Sequence, residues 1–202
     1  MRVTVIDYKA GNLTSVLKAL GHLGAESEVA TGPEPLASAE RILLPGVGHF
    51  AATRRLDEAG LTHAIRAAIA RGVPFLGICV GMQWLYAGST EAPEQPGLAQ
   101  FAERCTRFPD GREKVPHVGW NSLQIRADSR LLAGIAPDEF VYFTHSYKAP
   151  MTADTAAASH YIVPFAAAVE RGNVMGVQFH PELSAAAGLK ILRNFLHWEL
   201  AC

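Results

Sequence analysis

The segment 77–81, with the sequence Gly-Ile-Cys-Val-Gly, constrains the fold of this chain more than any other part of it. It follows the apolar run 73–76, which predicts a buried strand, and it precedes a helical pattern. A nucleophile between glycines at a strand-to-helix junction is typical of a nucleophile elbow, a strained turn that exposes the reactive side chain above the end of a sheet. Here the nucleophile is the sulfur of Cys79, and the start of a helix favours the thiolate form of a cysteine.

A base for this sulfur is predicted in segment 176–182, with the sequence Gly-Val-Gln-Phe-His-Pro-Glu. An alternating apolar stretch ends at His180, and Pro181 disfavours a helix there, so we expect an extended chain. Residues two apart in an extended chain share a face, which lets Glu182 hydrogen-bond the imidazole and fix its tautomer. The residues therefore predict a catalytic triad, against the alternative that Cys79 is a buried structural thiol.

Composition excludes several classes of function. The net charge of −1, without any basic run, gives no electrostatic reason to expect binding to nucleic acid or an anionic membrane. The three cysteines show no disulfide or metal-site spacing, and Cys105 and Cys202 lack any catalytic context, so we expect a reducing compartment. The chain opens on a strand-like segment and has no run of transmembrane length, which predicts no signal peptide and a cytoplasmic location. We expect a single domain over residues 1–202.

The alternation of strand-like and helix-period segments predicts an α/β fold with a mostly parallel sheet. In the first half, the predicted strands are residues 3–6, 27–30, 41–44 and the run ending at Cys79. Apolar faces of two helices are predicted at Leu13, Val16, Leu17 and Leu20, and at Leu61, Ile65, Ala68 and Ile69.

From about residue 97 the pattern changes to shorter strand-like pieces, which we expect to be largely antiparallel additions. These pieces are residues 101–108, 122–125, 140–143, 162–169 and 174–179. The alanine-rich stretch 149–158 is compatible with a loop. A last helix is predicted after Ser184, its expected N-cap, with apolar side chains at Leu189, Leu192, Phe195, Leu196 and Leu200.

The loop 45–48, with the sequence Pro-Gly-Val-Gly, follows a predicted strand and by itself indicates only a turn. In a parallel α/β sheet, however, chemistry takes place beyond the carboxyl ends of the strands, so we expect this loop beside Cys79. Its glycines allow backbone N–H groups to approach a tetrahedral intermediate, with the N–H of Val80 as a second oxyanion donor.

Two polar residues, one after the first strand and one after the predicted nucleophile, are further candidates. Gln83 follows Cys79 by one helical turn, so its amide could reach a substrate at the sulfur, and a solvated helix position fits the spacing equally well. Asn12 follows the first strand, and we expect it to cap the helix that begins there.

Four further candidates have simpler explanations. His117 and His145 have no partner at metal-ligand spacing, so we expect no metal site. Trp120 and Tyr147 are most simply interpreted as core aromatic residues.

The two segments that carry the predicted triad resemble the nucleophile and His-Pro-Glu motifs of the triad class of glutamine amidotransferases. Within that class, further segments resemble the glutaminase subunits of imidazole glycerol phosphate synthase, from histidine biosynthesis; they are residues 7–13, 45–50, 114–121 and 142–147. The resemblance runs from about residue 3 to the C-terminus. It implies a class I amidotransferase fold, with a central mostly parallel sheet, flanking helices and extra antiparallel strands.

The resemblance implies hydrolysis of glutamine to glutamate and ammonia. Cys79 would form a thioester, His180 would transfer the proton and Glu182 would orient His180. Gly48 and Val80 would supply the oxyanion hole.

The same resemblance assigns substrate and partner contacts, without a cofactor. Glutamine would be held by Gln83, His145, Ser146 and Tyr147, and the ammonia exit and interface would include Trp120, Asn121 and Asn12. The partner would be a separate (β/α)8 cyclase subunit in a heterodimer. Ammonia would cross its barrel to a phosphoribulosyl formimino carboxamide ribonucleotide, giving imidazole glycerol phosphate and an aminoimidazole carboxamide ribonucleotide. Independently, no phosphate-binding glycine motif or second domain remains in this chain for a synthase reaction.

Three other functions fit parts of the sequence. The glutaminase component of anthranilate or aminodeoxychorismate synthase shares the triad, but segment 114–121, with the sequence Lys-Val-Pro-His-Val-Gly-Trp-Asn, argues against it. A free-standing cysteine hydrolase of γ-glutamyl substrates would keep the same chemistry. An inactive binding module would keep only the fold, and the presence of all three triad residues disfavours it.

Overall fold

The computed structural model describes residues 1–111, 113–126 and 128–199. In its first half, strands and helices alternate: β1 (Arg2–Ile6), α1 (Leu13–His22), β2 (Glu26–Ala30), β3 (Ile42–Gly46), α2 (Arg54–Glu58), α3 (Leu61–Ala70), β4 (Phe75–Cys79) and α4 (Val80–Gln83). Short 3-10 helices span Glu34–Ala37, Phe50–Thr53 and Pro181–Leu183. Within the described ranges, no helix has the length and apolar character needed to cross a membrane.

The second half consists mostly of strands and ends with a helix. The strands are β5 (Tyr86–Ser89), β6 (Ala92–Pro96), β7 (Phe101–Arg107), β8 (His117–Ser122), β9 (Gln124–Ile125), β10 (Phe140–His145), β11 (Tyr147–Lys148), β12 (Thr155–Tyr161), β13 (Val163–Arg171) and β14 (Val174–Val177). The last helix is α5 (Ala185–Leu196), whose buried face includes Ile191, Leu192, Phe195 and Leu196. Leu200 and Cys202 lie outside the described residues.

The main sheet has eight strands in the order β2-β1-β3-β4-β14-β13-β12-β9. The strands from β2 to β14 in this order are parallel, and those from β14 to β9 are antiparallel. Every residue of β3 and β4 is buried, as expected for parallel strands covered on both faces. The predicted α/β fold is therefore confirmed, and the carboxyl ends of β1, β3, β4 and β14 meet at one edge of the sheet.

Two smaller sheets complete the fold. Strands β8 and β10 form an antiparallel pair, which we call the ribbon, with Trp120 opposite Tyr142. The other sheet has the order β11-β7-β5-β6, in which β7 and β5 are parallel. The second half is thus largely antiparallel, as expected from the sequence, except for the pairs β14–β4 and β7–β5.

Several local expectations are wrong. The alanine-rich stretch forms β12 from Thr155 onward, because its small side chains pack in the sheet interior although alanine favours strands only weakly. The predicted strand 122–125 is divided between the end of β8 and β9. Ser184 does occupy the N-cap position of α5, but its side chain does not cap that helix. Its hydroxyl instead donates to the carbonyl of His180 at 2.6 Å and accepts from the N–H of Tyr142 at 2.9 Å.

Helix α5 is in close contact with the 3-10 helix Pro181–Leu183 at Gly188, where an added Cβ would collide with the Pro181 carbonyl. We expect Gly188→Ala to lower the free energy of unfolding by about 1–3 kcal/mol, because one of the two helices must move. The matched control is Gly21→Ala on α1, where an added Cβ would meet no atom within 4 Å. This control should stabilise the chain by about 0.4–1 kcal/mol. Urea unfolding of both variants measures the difference, and equal effects would contradict the packing argument.

Candidate active site

The end of β4 has the geometry of a nucleophile elbow. Cys79 has φ of 54° and ψ of −108°, a backbone conformation that residues other than glycine rarely adopt. A Cβ on Gly77 would collide with the carbonyl of Gly81, and a Cβ on Gly81 would collide with the carbonyl of Leu44. Both glycines are therefore required for the chain to fold back directly over β3 and β4.

The helix after Cys79 is short. Helix α4 is a single turn that ends at Gln83. Because the dipole of a helix grows with the number of aligned peptides, one turn stabilises negative charge on the sulfur less than a long helix does. Neighbouring side chains are the other groups that can stabilise such charge.

His180 and Glu182 form a buried pair. The Nδ1 atom of His180 lies 2.8 Å from Oε1 of Glu182, and both side chains are almost completely buried. The expectation of a continuous extended segment is wrong, since the 3-10 helix Pro181–Leu183 begins directly after His180. The turn still brings the carboxylate to the imidazole, and it fixes Nδ1 as the nitrogen that donates to Glu182.

The environment of His180 favours its charged form. Burial lowers the pKa of His180, but the thiolate of Cys79 and the carboxylate of Glu182 outweigh burial and raise this pKa to about 10. The other ring nitrogen, Nε2, is buried and makes no aligned hydrogen bond within the described residues. Nε2 therefore remains available for proton transfer.

Asn12 supports this pair instead of capping α1. Its side chain makes no capping hydrogen bond within the described part of the chain, and its Nδ2 donates to Oε1 of Glu182 at 3.3 Å. The predicted capping role is therefore wrong. The side chain was misassigned because its partner is distant in sequence and reaches it only through the fold.

A cavity of about 240 Å³ opens beside Cys79. It lies there because β3 pairs with β4 so that Gly46 is opposite Cys79, which places the loop 45–48 next to the sulfur. Most of the sequence-predicted site residues are brought together in its lining, namely Gly48, Cys79, Val80, Gln83, His145, Ser146 and Tyr147.

In the loop 45–48, one backbone N–H group already donates a hydrogen bond within the protein. The N–H of Val47 donates to the carbonyl of Ala10 at 3.3 Å, so it does not point at the cavity in this conformation. Gly48 has φ of 90°, which glycine adopts without strain. The predicted oxyanion donors, the amides of Gly48 and Val80, belong to residues that line the cavity.

Gln83 is buried, so the alternative of a solvated helix position is wrong. Its Nε2 donates to the carbonyl of Tyr147 at 3.0 Å and to Oε1 of Gln178 at 3.1 Å. Tyr147 lies at the cavity wall and is partly exposed, so it is not a core aromatic residue.

His117 and His145 contact each other, with Nδ1 of His117 3.2 Å from Nε2 of His145. Burial lowers the pKa of His117 to about 4, and burial chiefly lowers the pKa of His145 to about 3, so both rings are neutral at neutral pH. Within the described residues, no group of three or more His, Cys, Asp or Glu side chains is placed to hold a metal ion. The histidine pair joins the ribbon to the cavity wall, because Nδ1 of His145 donates to the carbonyl of Tyr147 at 2.8 Å.

Sequence reasoning missed two residues of the site, one in the cavity lining and one at the sulfur. Glu91 is the one carboxylate in the described lining of the cavity, and it accepts the N–H of Phe50 at 2.8 Å. It lies in a turn after β5, where no pattern indicates it. The Nε2 atom of Gln178 lies 3.6 Å from the Cys79 sulfur. An amide inside the apolar stretch before His180 was a usable signal for it, because buried polar side chains require partners.

Trp120 and Asn121 lie on the ribbon, away from the cavity lining. Trp120 is 51% exposed, so its interpretation as a core residue is wrong. Its ring lies 6.1 Å from that of Tyr142 on the outer face of the ribbon. Asn121 faces inward, and its Nδ2 donates to the carbonyl of His160 at 2.9 Å.

Removal of the Glu182 charge should change the titration of His180. The raised pKa means that the folded chain keeps a proton that the unfolded chain loses above about pH 6.5, so this contribution to stability disappears as the pH rises toward about 10. We expect Glu182→Gln to lower the pKa of His180 because an amide attracts imidazolium less than a carboxylate does. Ring ¹⁵N NMR measures the titration, with the exposed His63 as internal reference. An unchanged His180 midpoint would exclude Glu182 as the cause.

Comparisons with known proteins agree with this geometry. Residues 4–198 match the family described as glutamine amidotransferase class-I. The imidazole glycerol phosphate synthase subunit HisH of Methanosarcina acetivorans is 44% identical over 202 residues, which cover 96% of this chain and 98% of that protein. The protein of the same name from Desulfitobacterium hafniense strain Y51 is 46% identical over 199 residues, which cover 97% of this chain and 94% of that protein.

Solved structures share the fold at lower sequence identity. A crystal structure described as glutamine amidotransferase superposes with a TM-score of 0.76 at 21% identity, over 96% of both chains. The structure of PurLQS from Thermotoga maritima gives a TM-score of 0.76 at 20% identity, over 96% of this chain and 97% of that one. The chain therefore belongs to the class I glutamine amidotransferases and, among them, to the HisH subunits of imidazole glycerol phosphate synthase.

Proposed function

We propose that this chain is the glutaminase subunit of imidazole glycerol phosphate synthase in histidine biosynthesis, and that it acts in the cytoplasm. The observation that carries the proposal is the strained, buried Cys79 at a cavity of about 240 Å³, beside a buried His180–Glu182 pair. The membership of the chain in the HisH family supports it.

In the proposed reaction, the Cys79 thiolate attacks the side-chain amide carbon of glutamine and forms a C–S bond. The N–H groups of Gly48 and Val80 stabilise the resulting oxyanion. His180 then gives its Nε2 proton to the amide nitrogen as the C–N bond breaks, and ammonia leaves. Water attacks the thioester while His180 accepts one of its protons, and cleavage of the C–S bond releases glutamate and regenerates Cys79.

Charge in the cavity fits a glutamine substrate. The Glu91 carboxylate complements the α-ammonium group of an amino acid. Oε1 of Gln83 is left to accept a hydrogen bond, because its Nε2 is committed to Tyr147 and Gln178. We assign His145, Ser146 and Tyr147 to the remaining contacts with the substrate because they line the same cavity.

Glutamate release from glutamine tests the reaction with the chain alone, with the cyclase subunit, and with cyclase and its ribonucleotide acceptor. We expect weak activity alone and strong stimulation in the third mixture, because ammonia released without an acceptor is lost. Cys79→Ala should lower turnover by at least about a thousandfold while the complex still forms. Retained turnover would remove Cys79 from the nucleophile role. Robust turnover by the chain alone, unaffected by either addition, would favour a free-standing hydrolase.

An exposed apolar surface supports a partner subunit, which we propose to be a (β/α)8 cyclase. On the ribbon, Val118, Trp120 and Phe140 are 56%, 51% and 54% exposed. Leu183, 42% exposed, follows the catalytic pair, and the N–H of His180 donates to the carbonyl of Tyr142 at 2.9 Å, which joins this turn to the ribbon. We call these four side chains the docking face. Apolar side chains grouped in this way are typical of protein interfaces.

The ammonia exit is proposed on the same side of the molecule. Trp120 and Asn121 lie on the ribbon, and Asn12 lies behind Glu182 through its hydrogen bond to Oε1. A shallow cavity of about 320 Å³ lies beside Glu182, between the 3-10 helix Pro181–Leu183 and α1, and is lined in part by Glu182 and Leu183.

Trp120→Ser should weaken binding to the cyclase subunit by about tenfold or more, because exposed tryptophans that become buried are frequent hot spots of interfaces. The fold should be unaffected, since the side chain lies on the surface. The matched control is Val29→Ser on β2, which also removes a 41% exposed apolar side chain but lies at the far edge of the main sheet. Isothermal titration calorimetry gives both affinities. Equal affinities of the two variants would place the interface elsewhere.

A further inference from the structure

We propose that Gln178 is a further catalytic residue, which donates a hydrogen bond from its side-chain amide to the reacting sulfur of Cys79 and favours the thiolate. The reaction that it serves rests on the proposed function above. In the main sheet, Val177 at the end of β14 is paired with Ile78 of β4. Gln178, the residue after β14, therefore lies beside Cys79, the last residue of β4. The Nε2 atom of Gln178 is 3.6 Å from the Cys79 sulfur, and its side chain is completely buried.

The orientation of the Gln178 amide is determined by its neighbours. Gln83 uses its Nε2 to donate both to the Tyr147 carbonyl and to Oε1 of Gln178. An amide nitrogen has two hydrogens and accepts none, so the atom of Gln178 that faces Gln83 must be its oxygen. The NH₂ group of Gln178 is therefore the end that points at the sulfur. A flipped amide would place two NH₂ groups against each other.

A role confined to packing does not explain this side chain. The backbone N–H of Gln178 donates to the carbonyl of Ala167 at 2.8 Å, a bond that any residue would make. Its buried amide costs free energy of desolvation unless it has partners. Those partners are Gln83 and Cys79, so the amide connects the cavity wall with the nucleophile.

The His180 imidazolium favours the thiolate of Cys79, and the Gln178 N–H adds to its effect. Tyr8, another titratable group coupled to Cys79, stays neutral because burial raises its pKa. Helix α4 is only one turn long, and the carbonyl of Thr144, 3.9 Å from the sulfur, favours the neutral thiol because it can accept the S–H. An N–H donor favours the opposite state, since hydrogen bonds to a charged acceptor are about twice as strong as those to a neutral one. As the pKa of a thiol falls, the nucleophilicity of its thiolate falls more slowly than the thiolate population rises, because the Brønsted coefficient is only about 0.4–0.5. At any pH where the neutral thiol predominates, the net effect of the Gln178 amide is therefore faster attack.

The test compares Gln178→Met, which has a similar length but no donor, with Gln178→Glu, which keeps the acceptor for Gln83 and replaces the donor by a carboxylate. The full-length chain is treated with iodoacetamide across a pH series, and the Cys79 peptide is quantified by mass spectrometry to exclude signal from the other cysteines. We expect the pH of half-maximal alkylation to rise by about one pH unit in the Met variant and by more in the Glu variant.

The matched control is Gln95→Met, another buried glutamine, whose Nε2 donates to Asp57 at 3.2 Å and which does not line the cavity. Its alkylation curve should match that of the parent chain. Gln178 is absent from the described cavity lining, and its Glu variant keeps the contact with Gln83. At pH values below the midpoint of its alkylation curve, the Glu variant should therefore lower kcat for glutamine hydrolysis by about threefold to tenfold and leave KM unchanged.

Parent-like alkylation curves for both Gln178 variants, with parent-like circular dichroism, would overturn the proposal. So would equal shifts in the Gln95 control. The Glu variant keeps the shape and the Gln83 contact, so it reports on the proposal even where the Met variant folds poorly. Alkylation requires no glutamine, and the result therefore stands apart from any failure of the proposed glutaminase reaction.

Discussion

The close approach of three backbone segments at the end of β4 is the constraint on which the rest of the site depends. Gly81 lies against Gly77 on one side and against the Leu44 carbonyl on the other, without space for a side chain. The left-handed backbone of Cys79 is unfavourable alone, and it persists because this packing allows no other path for the chain. The result is a sulfur held at the end of β4, where residues that follow the neighbouring strands β3 and β14 can contact it.

The parallel register then determines which groups reach the sulfur. On one side, Gly46 of β3 is opposite Cys79, which brings in the glycine loop and its amides. On the other side, Val177 of β14 is opposite Ile78, which places Gln178 at the sulfur and lets His180 follow after a short extension. The nucleophile and its neighbours are thus arranged by strand pairing, and side-chain contacts such as that of Asn12 with Glu182 refine the arrangement.

The parts predicted from sequence are those encoded locally. The spacing of apolar residues predicts the strands and helices of the α/β fold, and the spacing of glycines predicts the elbow, because each pattern depends on residues close together in the chain. The errors in side-chain roles concern residues whose partners are distant in sequence. Asn12 and Ser184 are both residue types that favour helix N-caps. In the structure, however, the Asn12 side chain hydrogen-bonds Glu182, and the Ser184 hydroxyl hydrogen-bonds the backbones of His180 and Tyr142. From local sequence alone, capping is the expected role of such side chains, because the acceptors and donors that compete for them come together only in the folded chain.

Strand β10 links the docking face to Cys79 and His180. Its Tyr142 carbonyl accepts the N–H of His180 at 2.9 Å, and its Thr144 carbonyl lies 3.9 Å from the Cys79 sulfur. The Ser184 hydroxyl adds a second connection between the strand and His180. Trp120 and Phe140 are on the outer face of this same ribbon. Any displacement of β10 therefore changes the surroundings of His180 and Cys79 together, because one strand carries contacts to both. A subunit bound to the ribbon, as proposed above, would act on a strand that is already hydrogen-bonded to His180, without a longer pathway through the core.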